Sequence, residues 1–318
     1  MTTPSPAGPE PLPAIQLREL SKLYGRAQAL RGVTLTVGAG EVFGLLGPNG
    51  AGKTTTVKIL TGLVRASGGE ARIFGRPAGD PAARRRLGYL PENFRFHDWY
   101  TGQELLDLHG RLAGLPSPQR HHRITEVLAL VGLSDRRHDR VSSYSKGMTQ
   151  RIGIGIALLH RPDLVLLDEP TSALDPIGRR DVRALILRLK EQGVTVVLNS
   201  HLLSEVELVC DRVAIIHRGL VVAEGRPEDL IGRATVRAEL DRVDATTLAL
   251  VRELGHVVDA DSRSVTLELT TAERSAEVAA VLVGAGYRLY ALVPGGGTLE
   301  EAFMDHVHPE DQPPLAPA

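Results

Sequence analysis

The sequence predicts an α/β domain built on a largely parallel sheet, followed by a smaller α+β domain, and three observations carry that expectation. The runs Leu164 to Leu167 and Val194 to Leu198 are apolar without alternation, the character of strands buried on both faces. Helical patterns precede and separate them, as strand-helix-strand units require. After Gly232 the order becomes strand, helix, strand, strand, helix, strand, the split βαβ arrangement. A chain of 318 residues is long enough for about two domains at ~100 to 200 residues each.

Taken in order, residues 1–14 carry prolines at 4, 6, 9, 11 and 13 and read as an extended, disordered tail. The tail has no Lys or Arg before Arg18 and no apolar segment, so it is not expected to be a signal peptide. The first domain is expected over 15–232. It opens with strands such as Val33 to Val37 and Glu41 to Leu46, and a helix starts within Lys53 to Leu60. Between about 91 and 150 the strands give way to helical patterns, Gly102 to Leu112 and Ile124 to Val131, which predicts a helical subdomain inserted between two halves of one sheet. The second domain, 233–307, reads as strand Thr235 to Leu240, helix Ala245 to Leu254, strands His256 to Asp259 and Val265 to Leu269, helix Ala272 to Val283 and strand Tyr287 to Val293, a ferredoxin-like βαββαβ order. An amphipathic segment, Leu299 to His306, precedes a second Pro-rich, disordered tail at 308–318.

Composition excludes several classes of function. With 37 basic against 38 acidic residues and a net charge of −1, the chain is not expected to be chiefly a nucleic-acid or anionic-membrane binder. The basic runs Arg84-Arg85-Arg86 and Arg120-His121-His122-Arg123 read as solvated helix faces. A single cysteine, Cys210, rules out an intrachain disulfide and a Cys-based metal site; in the run Leu208-Val209-Cys210 it reads as a small buried residue without chemistry. Apolar stretches such as Ile152 to Leu159 fall far short of the ~20 residues needed to cross a bilayer.

Chemistry is concentrated in two places. Gly47-Pro48-Asn49-Gly50-Ala51-Gly52-Lys53-Thr54 is a complete G-x-x-x-x-G-K-T between an apolar strand and a helix. Its glycines let consecutive backbone N–H groups wrap around phosphates, and the helix N-terminus adds positive potential there. Lys53 is expected to meet the β- and γ-phosphates and Thr54 to ligate Mg²⁺. The second place is Leu164-Val165-Leu166-Leu167-Asp168-Glu169-Pro170, which sets two carboxylates at the C-terminal end of a buried strand, where α/β sheets bind ligands. Asp168 can then reach the Mg²⁺ shell while Glu169 polarises a water for in-line attack.

With Tyr144-Ser145-Lys146-Gly147-Met148-Thr149-Gln150-Arg151 ahead of the acidic strand, Ser172-Ala173-Leu174-Asp175 after it, and Asn199-Ser200-His201 at the end of the next strand, the chain resembles the ATP-binding subunit of an ABC transporter over about Ile15 to Leu230. Its Ser-Lys-Gly-Met signature and Gly88-Tyr89-Leu90-Pro91-Glu92 look most like ATPases of drug, antibiotic and polysaccharide exporters that work with ABC-2 type permeases. The resemblance implies a P-loop NTPase domain whose residues 47–55, Thr55 included, hold ATP, with Tyr24 stacked on adenine. It implies that Ser145 and Gly147 contact the γ-phosphate of the ATP held by a partner subunit, that Asp175 belongs to the D-loop at that site, and that His201 senses the γ-phosphate. Read singly, Tyr24 is equally a surface aromatic, Ser145 a helix N-cap and His201 a cap for the next helix. Glu92 stands where the family commonly has Gln; a carboxylate there can still approach Mg²⁺. Tyr144, Lys146 and Met148 depart from the common Leu-Ser-Gly-Gly-Gln.

The resemblance implies an ATPase that dimerises, as a homodimer or pseudo-dimer, around two ATPs and powers export through a separately encoded permease, which would place it in the cytoplasm at the inner face of the membrane. The alternative is a non-transport ABC ATPase acting on nucleic acid or the ribosome, although the two ATPase domains, coiled coil or zinc fingers usual there are missing from this sequence. Five of the 12 aromatic residues, Tyr89, Phe94, Phe96, Trp99 and Tyr100, lie between 89 and 100. The resemblance places a permease-receiving groove there, for which Phe94 and Phe96 are the expected anchors, the other reading being that they pack the subdomain's own core.

Overall fold

A computed structural model describes residues 12–172, 174–231, 234–269, 274–296 and 298–307. The expectations for the tails at 1–11 and 308–318, for Ala173, for Gly232 and for Ala272 concern residues outside those described. The chain forms two compact units that part between Arg226 and Pro227.

The first unit begins β1 (Ile15–Tyr24), β2 (Ala27–Val37), β3 (Val42–Leu46), α1 (Lys53–Leu60), β4 (Gly68–Ile73), β5 (Arg76–Pro77), α2 (Pro81–Arg84) and β6 (Leu87–Leu90). It continues with α3 (Gly102–Leu112), α4 (Ser117–Leu130), α5 (Lys146–Leu158), β7 (Leu164–Asp168), α6 (Pro176–Glu191) and β8 (Thr195–Asn199). It closes with α7 (Leu203–Glu207), β9 (Arg212–His217) and β10 (Leu220–Gly225). A six-stranded sheet has the order β10-β9-β3-β8-β7-β6, parallel except for β10. A second, antiparallel sheet has the order β2-β1-β4-β5. One core joins them: Leu17, Leu30 and Val33 of the antiparallel sheet pack with Phe43, Leu164, Leu166 and Val197 of the parallel one and with Val57 and Leu60 of α1. Every residue of β3, β7 and β8 is buried. Both faces of these strands are therefore covered, which is why they read as unbroken apolar runs.

The helical region follows Glu92. Helix α3 starts with a capping box in which Thr101 Oγ1 accepts from Glu104 N at 3.2 Å and Glu104 Oε2 accepts from Thr101 N at 2.8 Å. Helix α4 begins at Ser117, well ahead of the expected Ile124, because Pro116 and Pro118 set its first turn while the polar run to Arg123 hides its periodicity. The basic run within it corrects the expectation of a solvated face. Arg120 is buried and donates to Asp107 Oδ1 at 2.6 Å, and Arg123 donates to the carbonyls of Leu158 at 2.6 Å and Leu159 at 3.1 Å, so the two arginines tie α4 to α3 and to the end of α5. Only His121 and His122 of that run are exposed.

In the second unit α8 (Pro227–Leu230) leads into β11 (Ala234–Leu240), α9 (Ala245–Arg252), β12 (His256–Ala260), β13 (Ser264–Glu268), α10 (Ser275–Gly284), β14 (Leu289–Gly296) and α11 (Leu299–His306). The antiparallel order β12-β13-β11-β14 puts the first strand of the βαββαβ unit between the third and fourth. Val236, Ala238 and Leu240 alternate toward a core shared with Val251 of α9 and Val278 and Leu282 of α10, while Arg237 and Glu239 point to solvent. Cys210 of the first unit is buried, and burial pushes its thiol pKa up, consistent with a thiol that does no chemistry. No helix among the described residues is long and apolar enough to cross a membrane.

Candidate nucleotide-binding site

The parallel sheet gathers four chain segments at one edge, since the loop of Gly47 follows β3, Glu92 follows β6, Asp168 and Glu169 end β7, and His201 follows β8. The loop backbone demands glycine at two places. Gly47 has φ 153° and a Cβ there would lie 2.2 Å from the Ile216 carbonyl oxygen; Gly52 has φ 115° and a Cβ there would lie 2.6 Å from a Leu30 methyl. No side chain caps the N-terminus of α1, which leaves its first N–H groups without a capping side chain, as an anion site at a helix N-terminus requires.

Lys53 is almost fully buried and its ammonium donates to the carbonyl oxygens of Gly47 at 2.6 Å and Pro48 at 3.1 Å. Burial lowers its pKa, opposed by the negative charges of Glu169, Asp168 and Glu92. Those same groups shape the opposite wall. Asp168 is buried, which raises its pKa; a hydrogen bond from the Asn199 amide pulls it back, and the charges of Glu92 and Glu169 push it up further. Tyr89 feels Asp168 and Glu92 as well, and with burial as the leading cause its phenol is pushed up to about 12. Glu169 takes a left-handed conformation, φ 52°, held by its N–H donating to the Asn199 carbonyl at 2.7 Å. Its carboxylate lies 2.8 Å from Nδ1 of the largely exposed His201.

Thr54 is exposed at the start of α1 and Thr55 half-buried beside it. Among the described residues no group of three or more His, Cys, Asp and Glu side chains forms a ready cage for a metal ion. Crowded carboxylates that raise the pKa of Asp168 nonetheless fit a cation such as Mg²⁺, which favours one or two carboxylates, a hydroxyl and phosphate oxygens over an all-protein cage.

Other expected residues lie apart from this wall. Ser145 N-caps α5, accepting from Met148 N at 3.3 Å, and Asp175 N-caps α6, accepting from Gly178 N at 2.7 Å. Together with Lys146, Gly147 and Leu174 they line a groove of about 320 Å³ in which no residue of the glycine loop takes part. Tyr24, at the end of β1, is 45% exposed and carries the Lys22 ammonium 5.0 Å over its ring. Of the aromatic cluster, Phe94 packs on α5, where a Cβ at Gly153 would meet its ring at 3.1 Å, and Phe96 meets Phe94 at a tilt of 45° with ring centroids 5.1 Å apart. The open groove of about 640 Å³ in this region is lined by Trp99, Tyr100, Asp107, Arg111 and His138, and Phe94 and Phe96 are not among its lining residues. Sequence reasoning missed Asn199 as a site residue, although an amide ending an otherwise apolar buried strand is a readable signal.

A glycine loop closing on a buried lysine, opposite two strand-end carboxylates, defines a nucleoside-triphosphate-binding domain of the P-loop class. The ABC transporter family matches residues 30–172. Among curated relatives, the daunorubicin/doxorubicin resistance ATP-binding protein DrrA of Streptomyces peucetius is 34% identical over 95% of each chain. The linearmycin resistance ATP-binding protein LnrL of Bacillus subtilis is 35% identical over 80% of this chain and 84% of its own. A solved ATP-binding subunit of an ABC transporter superposes with a TM-score of 0.62 at 32% identity, covering 68% of this chain and 91% of that one. A dimeric ATP-binding cassette in a post-hydrolysis state with ADP and phosphate gives 0.60 at 27% identity over 67% of this chain and 98% of that one. The chain belongs to the ATP-binding proteins of the ABC transporter family.

Proposed function

We propose that this chain is the Mg²⁺-dependent ATP-hydrolysing subunit of an exporter, acting as a homodimer on a separately encoded ABC-2 type permease at the inner face of the membrane. The observation that carries this reading is the division of the site. Lys53 faces Asp168 and Glu169, with His201 beside them, in one cluster, whereas Ser145, Gly147 and Asp175 line a groove that contains none of the glycine loop. Each is half a site, and two copies related by a two-fold axis complete both halves around two nucleotides.

In that assembly the N–H groups of Gly47 and of residues 49–55 and the Lys53 ammonium hold the phosphates, Tyr24 meets the adenine, and Thr54 and Asp168, with Glu92 close by, would hold Mg²⁺. Held there, the cation would supply positive charge that offsets the charge on the phosphate oxygens. Glu169 accepts a proton from the attacking water as its oxygen bonds the γ-phosphorus and the bond to ADP breaks. His201 fixes the carboxylate of Glu169 and faces the γ-phosphate. The names of the relatives support export of a drug-like or antibiotic substrate, and regulation or dimer support is assigned to the second unit. Domain limits of 15–232 and 233–307, with a helical subdomain over about 91–150, go with this reading.

Lys53→Ala tests the phosphate loop: ATP affinity and hydrolysis both collapse on this account, and hydrolysis at the wild-type rate would overturn it.

A further inference from the structure

We propose that Asn199 is a positioning residue for the acidic pair, its side chain fixing one oxygen of Asp168 so that the other is presented to a divalent cation. The proposal rests on the reading in which Asp168 holds that cation. Strand β8 is otherwise Thr195-Val196-Val197-Leu198, and Asn199 at its end is 3% exposed. An amide is buried in such a place only against partners that repay its lost hydration. A carboxylate accepts and never donates when ionised, so the NH₂ end of the amide must face it; Nδ2 donates to Asp168 Oδ1 at 2.5 Å.

The same residue grips the second acid through its backbone, because its carbonyl accepts the N–H of Glu169 at 2.7 Å and so holds the left-handed turn there. Two residues on, His201 reaches the Glu169 carboxylate. The tip of β8 thus holds the carboxylate of Asp168 and the backbone of Glu169. The amide has one further capacity: Asn199 Oδ1 is buried and accepts no hydrogen bond from any described residue. Buried acceptors are seldom left so. A water bound to a cation beside Asp168 is a donor that would satisfy it.

The test separates metal-dependent from metal-independent nucleotide affinity in the full-length chain. ATP binding in EDTA reads the glycine loop alone; the gain on adding Mg²⁺, together with Mn²⁺ binding to the ATP-bound protein by electron paramagnetic resonance, reads Asp168. Asn199→Leu, of similar size but without a donor, is expected to keep EDTA affinity within about twofold while losing about tenfold of the Mg²⁺-dependent gain and weakening Mn²⁺ binding. If that variant does not fold, Asn199→Ala removes the same donor without added bulk and is read the same way. A full metal-dependent gain in a folded variant, or equal losses with and without metal, overturns the inference. Asp168→Asn serves as reference: should it too keep the full gain, the assignment of Asp168 fails, whereas loss there with retention in the Asn199 variant sinks the positioning role alone.

Discussion

Glu169 leaves β7 in a conformation that L-residues seldom adopt, and its carboxylate is 2.8 Å from His201. Glu169→Gln keeps the shape of that side chain and removes the base. Phosphate release is expected to fall by ~10²-fold or more while ATP binding persists, and an unchanged turnover would take the base role away from this residue. Gly47→Ala puts a methyl group 2.2 Å from the Ile216 carbonyl, so the loop must open; nucleotide affinity measured by titration should drop by at least tenfold even in a folded variant. The residues of this wall were legible in the sequence where they are contiguous, as in Gly47 to Thr54 and Asp168-Glu169. The bond between Asn199 and Asp168 spans 31 positions, and only strand pairing brings its ends together. The self-bonding of Lys53 to its own loop carbonyls is likewise a matter of fold, not of spacing.

At the scale of elements, the runs that became β7 and β8 were readable because both faces of each strand are buried, and α4 was shortened in the reading because its first turns are polar. The antiparallel sheet was legible only in part: β2 alternates cleanly from Val33 to Val37, whereas β1 and the start of β2 expose many residues and their register shifts several times, which blurs the period of two there. Helix α9 supports a prediction of its own. Asp244 caps it, accepting from Thr247 N at 2.9 Å and from the Tyr287 hydroxyl at 2.7 Å, and these bonds lower its pKa to about 2. A carboxylate with a depressed pKa in the folded state contributes stability above its ordinary value of 3.8, and that contribution is lost as pH falls through about 2. Asp244→Ala is therefore expected to lower the melting temperature at pH 6, with the difference from wild type shrinking toward pH 2. An equal difference at both pH values in circular-dichroism melts would show that the ionised carboxylate is not what matters.

For the molecule as a working part of a transporter, the density of aromatics at 89–100 was visible in the sequence, but the division of labour within it was not. Phe94 lies against Gly153 of α5, and Trp99 is 63% exposed and lines the open groove. Trp99→Ala is accordingly expected to spare ATP binding and to weaken recovery of the chain on membranes containing its permease, while Phe94→Ala chiefly lowers thermal stability. The reverse pattern would return the docking role to Phe94. The central claim is that each chain supplies two half-sites, and its most direct measurement is the mass of the Glu169→Gln protein by light scattering with and without ATP and Mg²⁺. With hydrolysis blocked, ATP should convert monomer to a stable dimer of about twice the 34.2 kDa chain, and adding Ser145→Arg should abolish that conversion. A protein that binds ATP and remains monomeric at saturating nucleotide would contradict the account.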